Sequence, residues 1–156
     1  MKADTTTSLY DETIARKGLR FTDQRKHVYD VLLEKRDHPT AVEVFMRVKE
    51  KMPSISLATV YNCLETLTEC GLAKHVGVDR GPARFCPNLE EHAHFFCDQC
   101  GAVIDIPLKS PGELKSAWSL PKNTVVTRHE ANFHGLCPDC AKPKTLTNRK
   151  TNATKS

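Results

Sequence analysis

Apolar residues in the first half of the chain recur every three or four positions, which is the period of an amphipathic helix. Three such segments follow Thr22, Thr40 and Ser56, polar residues that suit the N-cap position. Glu43 completes a capping box with Thr40, and Gly71 suits the position just after the last helix. The pattern predicts four helices, over Tyr10–Lys17, from Thr22 to the His38-Pro39 break, from Thr40 to the Met52-Pro53 break, and over Ser56–Leu67.

After Gly71 the apolar segments become short and are separated by turn residues, which favours strands. Residues 73–78 and 83–85 form a predicted hairpin. Three helices and a hairpin are typical of a winged helix-turn-helix domain, although other small α+β domains share this layout. The predicted fold class is therefore α+β, with a winged helix-turn-helix domain followed by a small α/β domain. Further strands are predicted at 95–96, 102–106, 125–127 and 131–133, and a helix at 111–118.

The predicted division of the chain places a hinge around Pro87-Asn88. The end of the chain is rich in lysine and has too few apolar residues to form a core. The net charge of +4 conceals a basic group near the N-terminus, which suits either a phosphate backbone or a solvated helix face: Arg16, Lys17, Arg20, Arg25 and Lys26. The predicted segments are an unstructured N-terminus (1–9), a winged-helix domain (10–86), a hinge (87–91), a second domain (92–141) and a basic unstructured tail (142–156).

Composition excludes several classes of protein. Hydrophobic residues make up 39% of the chain and charged residues 27%, which permits a modest core. No apolar run approaches the length of a membrane span, and the first residues lack the apolar region of a secretory signal. We therefore expect a soluble cytoplasmic protein without membrane contacts. In a reducing compartment, its seven cysteines are expected to bind metal or perform redox chemistry rather than form structural disulfides.

Two C-x-x-C pairs, Cys97 with Cys100 and Cys137 with Cys140, carry the strongest chemical signal. Four thiolates of this kind bind one Zn²⁺ tetrahedrally. Because 36 residues separate the pairs, a small strand domain has to bring them together. The alternative is a dithiol redox centre, which a single pair beside a βαβ unit would favour. The pattern predicts a structural zinc site.

A second group of ligand-type residues consists of Cys86, His92 and His94, with Asp105 further along the chain. His92 and His94 are two positions apart, so on a strand both rings project from the same face. Sulfur, nitrogen and oxygen ligands together suit a transition metal. The pattern favours a second metal site, the alternative being polar side chains around a surface loop.

Five motifs, in order, resemble the ferric uptake regulator family over roughly residues 10–141. The resemblance implies a dimeric, metal-activated bacterial repressor with an N-terminal winged-helix domain and a C-terminal dimerisation domain. Its implied partners are double-stranded operator DNA and a second copy of the chain, with no small-molecule substrate. The motifs are L-R-F-T-x-x-R from Leu19, H-P-T-A from His38, S-L-A-T-V-Y from Ser56, H-x-H-x-x-C-x-x-C-G from His92 and H-G-L-C-x-x-C from His134.

The resemblance also implies roles for individual residues. Ser56–Leu67 is the implied recognition helix, in which Tyr61 and Asn62 contact DNA, and Arg20 falls where the family has a basic residue in the minor groove. The implied regulatory metal ligands are His38, Cys86, His92, His94 and Asp105, and the implied structural zinc ligands are Cys97, Cys100, Cys137 and Cys140. His75 is a possible further ligand, and Glu113 and His129 match parts of an additional site that Glu91 and Ala93 are expected to weaken or abolish.

Two departures from the family pattern bear on the regulatory metal. Cys86 stands where iron-sensing members usually have Glu and peroxide-sensing members Asp, whereas zinc-sensing members often have Cys. A thiolate favours Zn²⁺ over Fe²⁺. Asn62 replaces an Arg that is common in iron sensors and, with His38 and Asp105, is more similar to the peroxide sensors. Cys86 carries more weight because it would bind the metal itself.

We therefore predict a metal-dependent repressor of metal homeostasis that holds a structural Zn²⁺ and responds to regulatory Zn²⁺. The alternative in the same family is an Fe²⁺- or Mn²⁺-dependent repressor that senses peroxide or controls iron uptake. Alternatives from other classes are a thiol oxidoreductase and a zinc-stabilised protein-interaction module. Because the sequence shows no set of nucleophile, base and orienting group, hydrolysis is not expected, and we predict that the protein is not an enzyme.

Overall fold

The structure is a computed structural model that describes residues 4–77, 81–110 and 118–143. The chain divides into two compact units, and the described residues of the first lie within Met1–His92 and Pro107–Ser119, those of the second within Ala93–Ile106 and Leu120–Ser156. This arrangement of helices and small sheets confirms the predicted α+β class. In chain order the elements are α1 (Asp4–Arg16), α2 (Asp23–Glu34), α3 (Ala41–Lys51), α4 (Leu57–Glu69), β1 (Lys74–Val76), β2 (Arg84–Cys86), β3 (His92–Cys97), β4 (Val103–Pro107) and β5 (Asn132–Gly135).

The ends of the helices follow the predicted capping residues. The side chain of Thr22 accepts a hydrogen bond from the backbone N–H of Arg25, and α2 begins at the next residue. Thr40 and Glu43 form the full capping box at the start of α3, and Ser56 caps α4. Gly71, at φ 76°, turns the chain out of α4 in the left-handed conformation that a residue without a Cβ adopts at low cost.

The core of the first unit lies among α2, α3 and α4. Val28 and Leu32 of α2, Val44 of α3, and Val60 and Leu64 of α4 are fully buried. Burying each such side chain contributes about 1.5–3 kcal/mol. The antiparallel hairpin of β1 and β2 adds Phe85 to this core. The packing leaves one face of α4 exposed while its apolar face anchors the helix.

The second unit contains a three-stranded sheet in the order β4-β3-β5, in which β3 and β5 are parallel. Its core is small. Among its described residues, the buried hydrophobic side chains are Ala93, Phe96, Cys97 and Cys137. A core of this size offers little hydrophobic stabilisation.

Four sequence predictions differ from the structure or lie mostly outside its described part. Helix α1 begins at Asp4, so the N-terminus predicted to be unstructured is helical from that residue. The first turn of α1 is polar, so the periodic spacing of apolar residues did not predict this start. The strand predicted at residues 125–127 is absent, and Val125 is 84% exposed, because no strand in the described part of the chain pairs with this segment. The predicted helix at 111–118 and the predicted tail at 142–156 fall mostly outside the described residues.

Candidate metal centres and nucleic-acid interface

The four cysteines of the two C-x-x-C pairs meet in the second unit, with all four sulfur atoms within 4.8 Å of one another. Cys97 ends β3, and the other pair follows β5. Parallel pairing of these strands sets Cys97 opposite Gly135, and this register brings the two pairs together across the long intervening segment. Both pairs turn in the same way, since Gly101 N–H donates to the Cys97 carbonyl and Ala141 N–H to the Cys137 carbonyl.

Backbone hydrogen bonds make this cluster suitable for a cation. N–H groups of Cys100, Cys137 and Gln99 donate to the sulfur of Cys97 and lower the pKa of its thiol to about 6. Interaction with the neighbouring Cys137 thiol raises the pKa of Cys140 to about 12. Thiols this close cannot all ionise unless a positive charge lies among them. Four sulfur ligands in one cluster fit Zn²⁺, which binds thiolates with release of their protons. No disulfide joins any of the seven cysteines, all of which lie in the described part of the chain.

A second set of ligand side chains surrounds the sulfur of Cys86 in the first unit. Cys86 Sγ lies 3.5 Å from Nε2 of His92 and within 4.8 Å of a ring nitrogen of His38. His38 and Cys86 are almost fully buried, with 2% and 1% of their surfaces exposed. One thiol and two imidazoles of this kind are ligands for a divalent transition metal.

The ring of His92 is held in the tautomer that metal binding requires. Its Nδ1 lies 2.7 Å from the carbonyl oxygen of Glu90. Because a carbonyl only accepts hydrogen bonds, Nδ1 carries the proton of the neutral ring, which leaves Nε2, the nitrogen near Cys86, to bind a metal. Outer partners, which bind a metal ligand rather than the metal itself, orient histidine ligands in this way in known metal sites. The sequence pattern could not reveal this contact, because its acceptor is a backbone atom.

The remaining predicted ligands, His94 and Asp105, lie in the second unit on the neighbouring strands β3 and β4. Nε2 of His94 is 3.5 Å from a carboxylate oxygen of Asp105. Both side chains are partly exposed. They form a nitrogen–oxygen pair that is suited to a divalent cation.

The other candidate ligands are placed differently. His75, on β1, is exposed and packs its ring edge against Phe85, with 4.9 Å between the ring centroids. It also lines an open cavity of about 480 Å³ beside α4. His129 is exposed in the segment before β5. Within the described ranges, neither histidine joins a group of three ligand side chains. Glu113 lies outside the described residues.

Helix α4 presents a continuous exposed face opposite its buried one. Tyr61 is 49% exposed, and Ala58, Asn62 and Glu65 lie on the same side at helical spacing. Arg20 is exposed in the segment before α2. An exposed helix that carries an aromatic and an amide side chain, held by a helix-turn-helix core, has the form that enters the major groove of duplex DNA. Within the described part of the chain, every helix is too short or too polar to cross a bilayer.

Comparison with known proteins agrees with this arrangement. The model of the ferric uptake regulator family matches residues 16–134. The peroxide-responsive repressor of Staphylococcus epidermidis is 31% identical over 133 residues, covering 83% of this chain and 89% of the relative. The Campylobacter jejuni peroxide stress regulator aligns with a TM-score of 0.63 at 26% identity, over 90% of this chain and all of that one. The ferric uptake regulator of Helicobacter pylori has the same fold, with a TM-score of 0.72 at 19% identity over 93% and 97% of the two chains.

Proposed function

This chain belongs to the ferric uptake regulator family, and we propose that it is a repressor that responds to Zn²⁺. Members of that family are metal-responsive DNA-binding regulators of transcription and not enzymes. The observation that carries the zinc assignment is the thiol of Cys86, buried beside His92 and His38. A thiolate is a softer ligand than the carboxylates that Mn²⁺ prefers, and it suits Zn²⁺. The proposed regulatory ligands are His38, Cys86, His92, His94 and Asp105.

In this proposal, occupation of the regulatory site favours the conformation that binds DNA. The first domain (10–86) contacts an operator through α4 and Arg20, and the second domain (92–141) forms a homodimer. Support for the dimer comes from apolar side chains that the second unit leaves exposed, among them Phe133 and Leu136 at 52% and 50%. A two-fold dimer would place two recognition helices on successive turns of a duplex. The structural Zn²⁺ is assigned to the four-cysteine cluster.

The metal assignment is tested with protein that keeps its structural zinc but has been stripped of weakly held metal. Zn²⁺, Fe²⁺ and Mn²⁺ are titrated anaerobically while binding to a duplex, selected from a random pool by the metal-loaded protein, is followed by fluorescence anisotropy. Zn²⁺ is expected to restore DNA binding at the lowest free concentration. Most sites bind Zn²⁺ more tightly than Fe²⁺ or Mn²⁺, so tighter Zn²⁺ binding by wild type alone does not identify the thiolate as its cause. Cys86→Asp, which replaces the thiolate by a carboxylate, is therefore the matched variant. In that variant, the free concentrations of Zn²⁺, Fe²⁺ and Mn²⁺ that restore DNA binding should differ less than in wild type. An unchanged difference would contradict the role of the thiolate.

A peroxide-responsive repressor is the second candidate, favoured by the 31% identity to a protein of that name. In that case the Fe²⁺-loaded protein would bind the selected duplex and release it on exposure to hydrogen peroxide, whereas the Zn²⁺-loaded protein would not respond. The same anaerobic samples, treated afterwards with peroxide, distinguish the two candidates.

Replacing Tyr61 by alanine is expected to weaken DNA binding by about tenfold, since losing the correct contact to one base pair of a site costs roughly 1–3 kcal/mol. Metal binding should not change. Tyr61→Phe keeps the ring and is expected to keep most of the affinity if the contact is to a thymine methyl group. Equal DNA binding by wild type and Tyr61→Ala would instead favour a protein-interaction module.

A further inference from the structure

His38 has an unusual backbone conformation for a residue with a side chain. Its φ is +54°, in the left-handed region, where the Cβ atom crowds the backbone. Pro39 follows it and restricts its conformation further. A strained backbone persists only where surrounding contacts fix it. The contacts that hold His38 therefore determine where its imidazole lies.

Arg84 contacts this segment through its side chain. Its guanidinium Nη1 donates a hydrogen bond of 2.9 Å to the carbonyl oxygen of His38. The next residue of β2, Phe85, donates its backbone N–H to the carbonyl of Pro39 at 3.0 Å. The Arg84 guanidinium also lies 3.6 Å from the carboxylate of Glu43. Glu43 and Thr40 form the capping box at the start of α3. The α2–α3 segment is thus fastened to β2 by both a side chain and the backbone.

The same strand carries the thiol ligand. Arg84 and Cys86 are two positions apart on β2, so their side chains project from the same face. One short strand therefore supplies Cys86 and fixes the carbonyl of His38, whose ring nitrogen lies within 4.8 Å of the Cys86 sulfur. The sequence pattern does not indicate the contact between Arg84 and His38, because they are 46 positions apart.

We propose that Arg84 is a positioning residue for the regulatory metal site, which holds His38 in its left-handed conformation and thereby sets the imidazole beside Cys86. The proposal rests on the proposed function, since it assumes that His38 and Cys86 bind the regulatory cation. Without Arg84 the segment can relax, and the cation has to order it on binding. Loss of an outer partner typically lowers metal affinity by about 10- to 100-fold, and this is the effect expected for Arg84→Ala. Zinc in the four-cysteine cluster should stay bound.

The test uses the full chain with its structural zinc in place and Co²⁺ as the probe of the second site. Co²⁺ bound to a thiolate absorbs in the near ultraviolet, and the Cys86→Ser variant identifies the part of this band that belongs to Cys86. Affinity is measured by competition with a chelator. Arg84→Ala is expected to bind Co²⁺ about 10- to 100-fold more weakly than wild type. Arg84→Lys, which keeps one donor and the charge, is expected to recover part of the loss and also serves if Arg84→Ala does not fold.

Glu43→Gln separates positioning from a general structural role. It removes the charge that faces Arg84 but keeps an oxygen that can accept the capping bonds, so wild-type Co²⁺ affinity is expected. An equal loss in Glu43→Gln and Arg84→Ala would assign the effect to the ion pair and overturn the proposal, as would wild-type affinity in Arg84→Ala. Two other outcomes would contradict the proposed function itself. If wild type with its structural zinc binds no Co²⁺, or if the Co²⁺ absorption band is unchanged in Cys86→Ser, the regulatory site is assigned wrongly.

Discussion

Replacing Cys97 by serine is expected to unfold the second unit and to remove one bound zinc per chain. Cys97 is the buried member of its pair and accepts backbone hydrogen bonds that favour its thiolate. Structural zinc binding is worth about 10–16 kcal/mol in small peptides, and the described core of this unit is limited to Ala93, Phe96, Cys97 and Cys137. The variant is expected to lose its dimeric state and the corresponding part of the thermal transition, measured by metal analysis, light scattering and calorimetry.

Cys70→Ser is the matched control, because Cys70 is partly buried and lies outside the four-cysteine cluster. It should keep its zinc and its oligomeric state. A Cys97→Ser protein that remains a dimer with wild-type melting would show that the cluster is not the cross-link of this unit. Rapid dithiol exchange by metal-free wild-type protein would favour the oxidoreductase alternative.

Replacing His92 by alanine is expected to abolish metal-dependent DNA binding while leaving the protein folded. If the DNA-binding conformation is about 1% populated without the regulatory cation, reaching 99% requires a differential affinity of roughly 10⁴-fold, or about 5.5 kcal/mol. Loss of an outer partner alone can cost about 10- to 100-fold in affinity. Loss of a direct ligand should cost at least as much and remove most of the response. DNA binding is followed with and without Zn²⁺, and folding by circular dichroism.

His27→Ala is the control for this variant. His27 lies on α2, where its ring contacts the Asp23 carbonyl, and it belongs to neither proposed ligand set. Its metal response should match that of wild type. The regulatory assignment of His92 would be contradicted by a His92→Ala protein whose DNA affinity still rises with Zn²⁺ as in wild type. It would equally be contradicted if wild type bound its duplex unchanged after removal of the weakly held metal.

Local features of the fold were predictable because their causes lie within a few residues of one another. Thr40 and Glu43 are three positions apart and close a capping box whatever surrounds them. The missed or wrong elements had no such local cause. The apolar residues around Val125 resemble a strand, but a strand forms only when another strand pairs with it, and pairing depends on the path of the distant chain.

The sequence by itself determined where α2, α3 and α4 begin, the family, and the kinds of candidate ligand, because capping, periodicity and C-x-x-C spacing are local or fixed by residue type. Only the tertiary structure decided how those ligands are held. The register of β3 against β5 brings Cys97 near Cys137, and the Glu90 carbonyl fixes the tautomer of His92. Arg84 reaches the carbonyl of His38 from a strand far along the chain. Such contacts depend on where the folded backbone places atoms that are distant in sequence, and no pattern of side chains encodes that position locally.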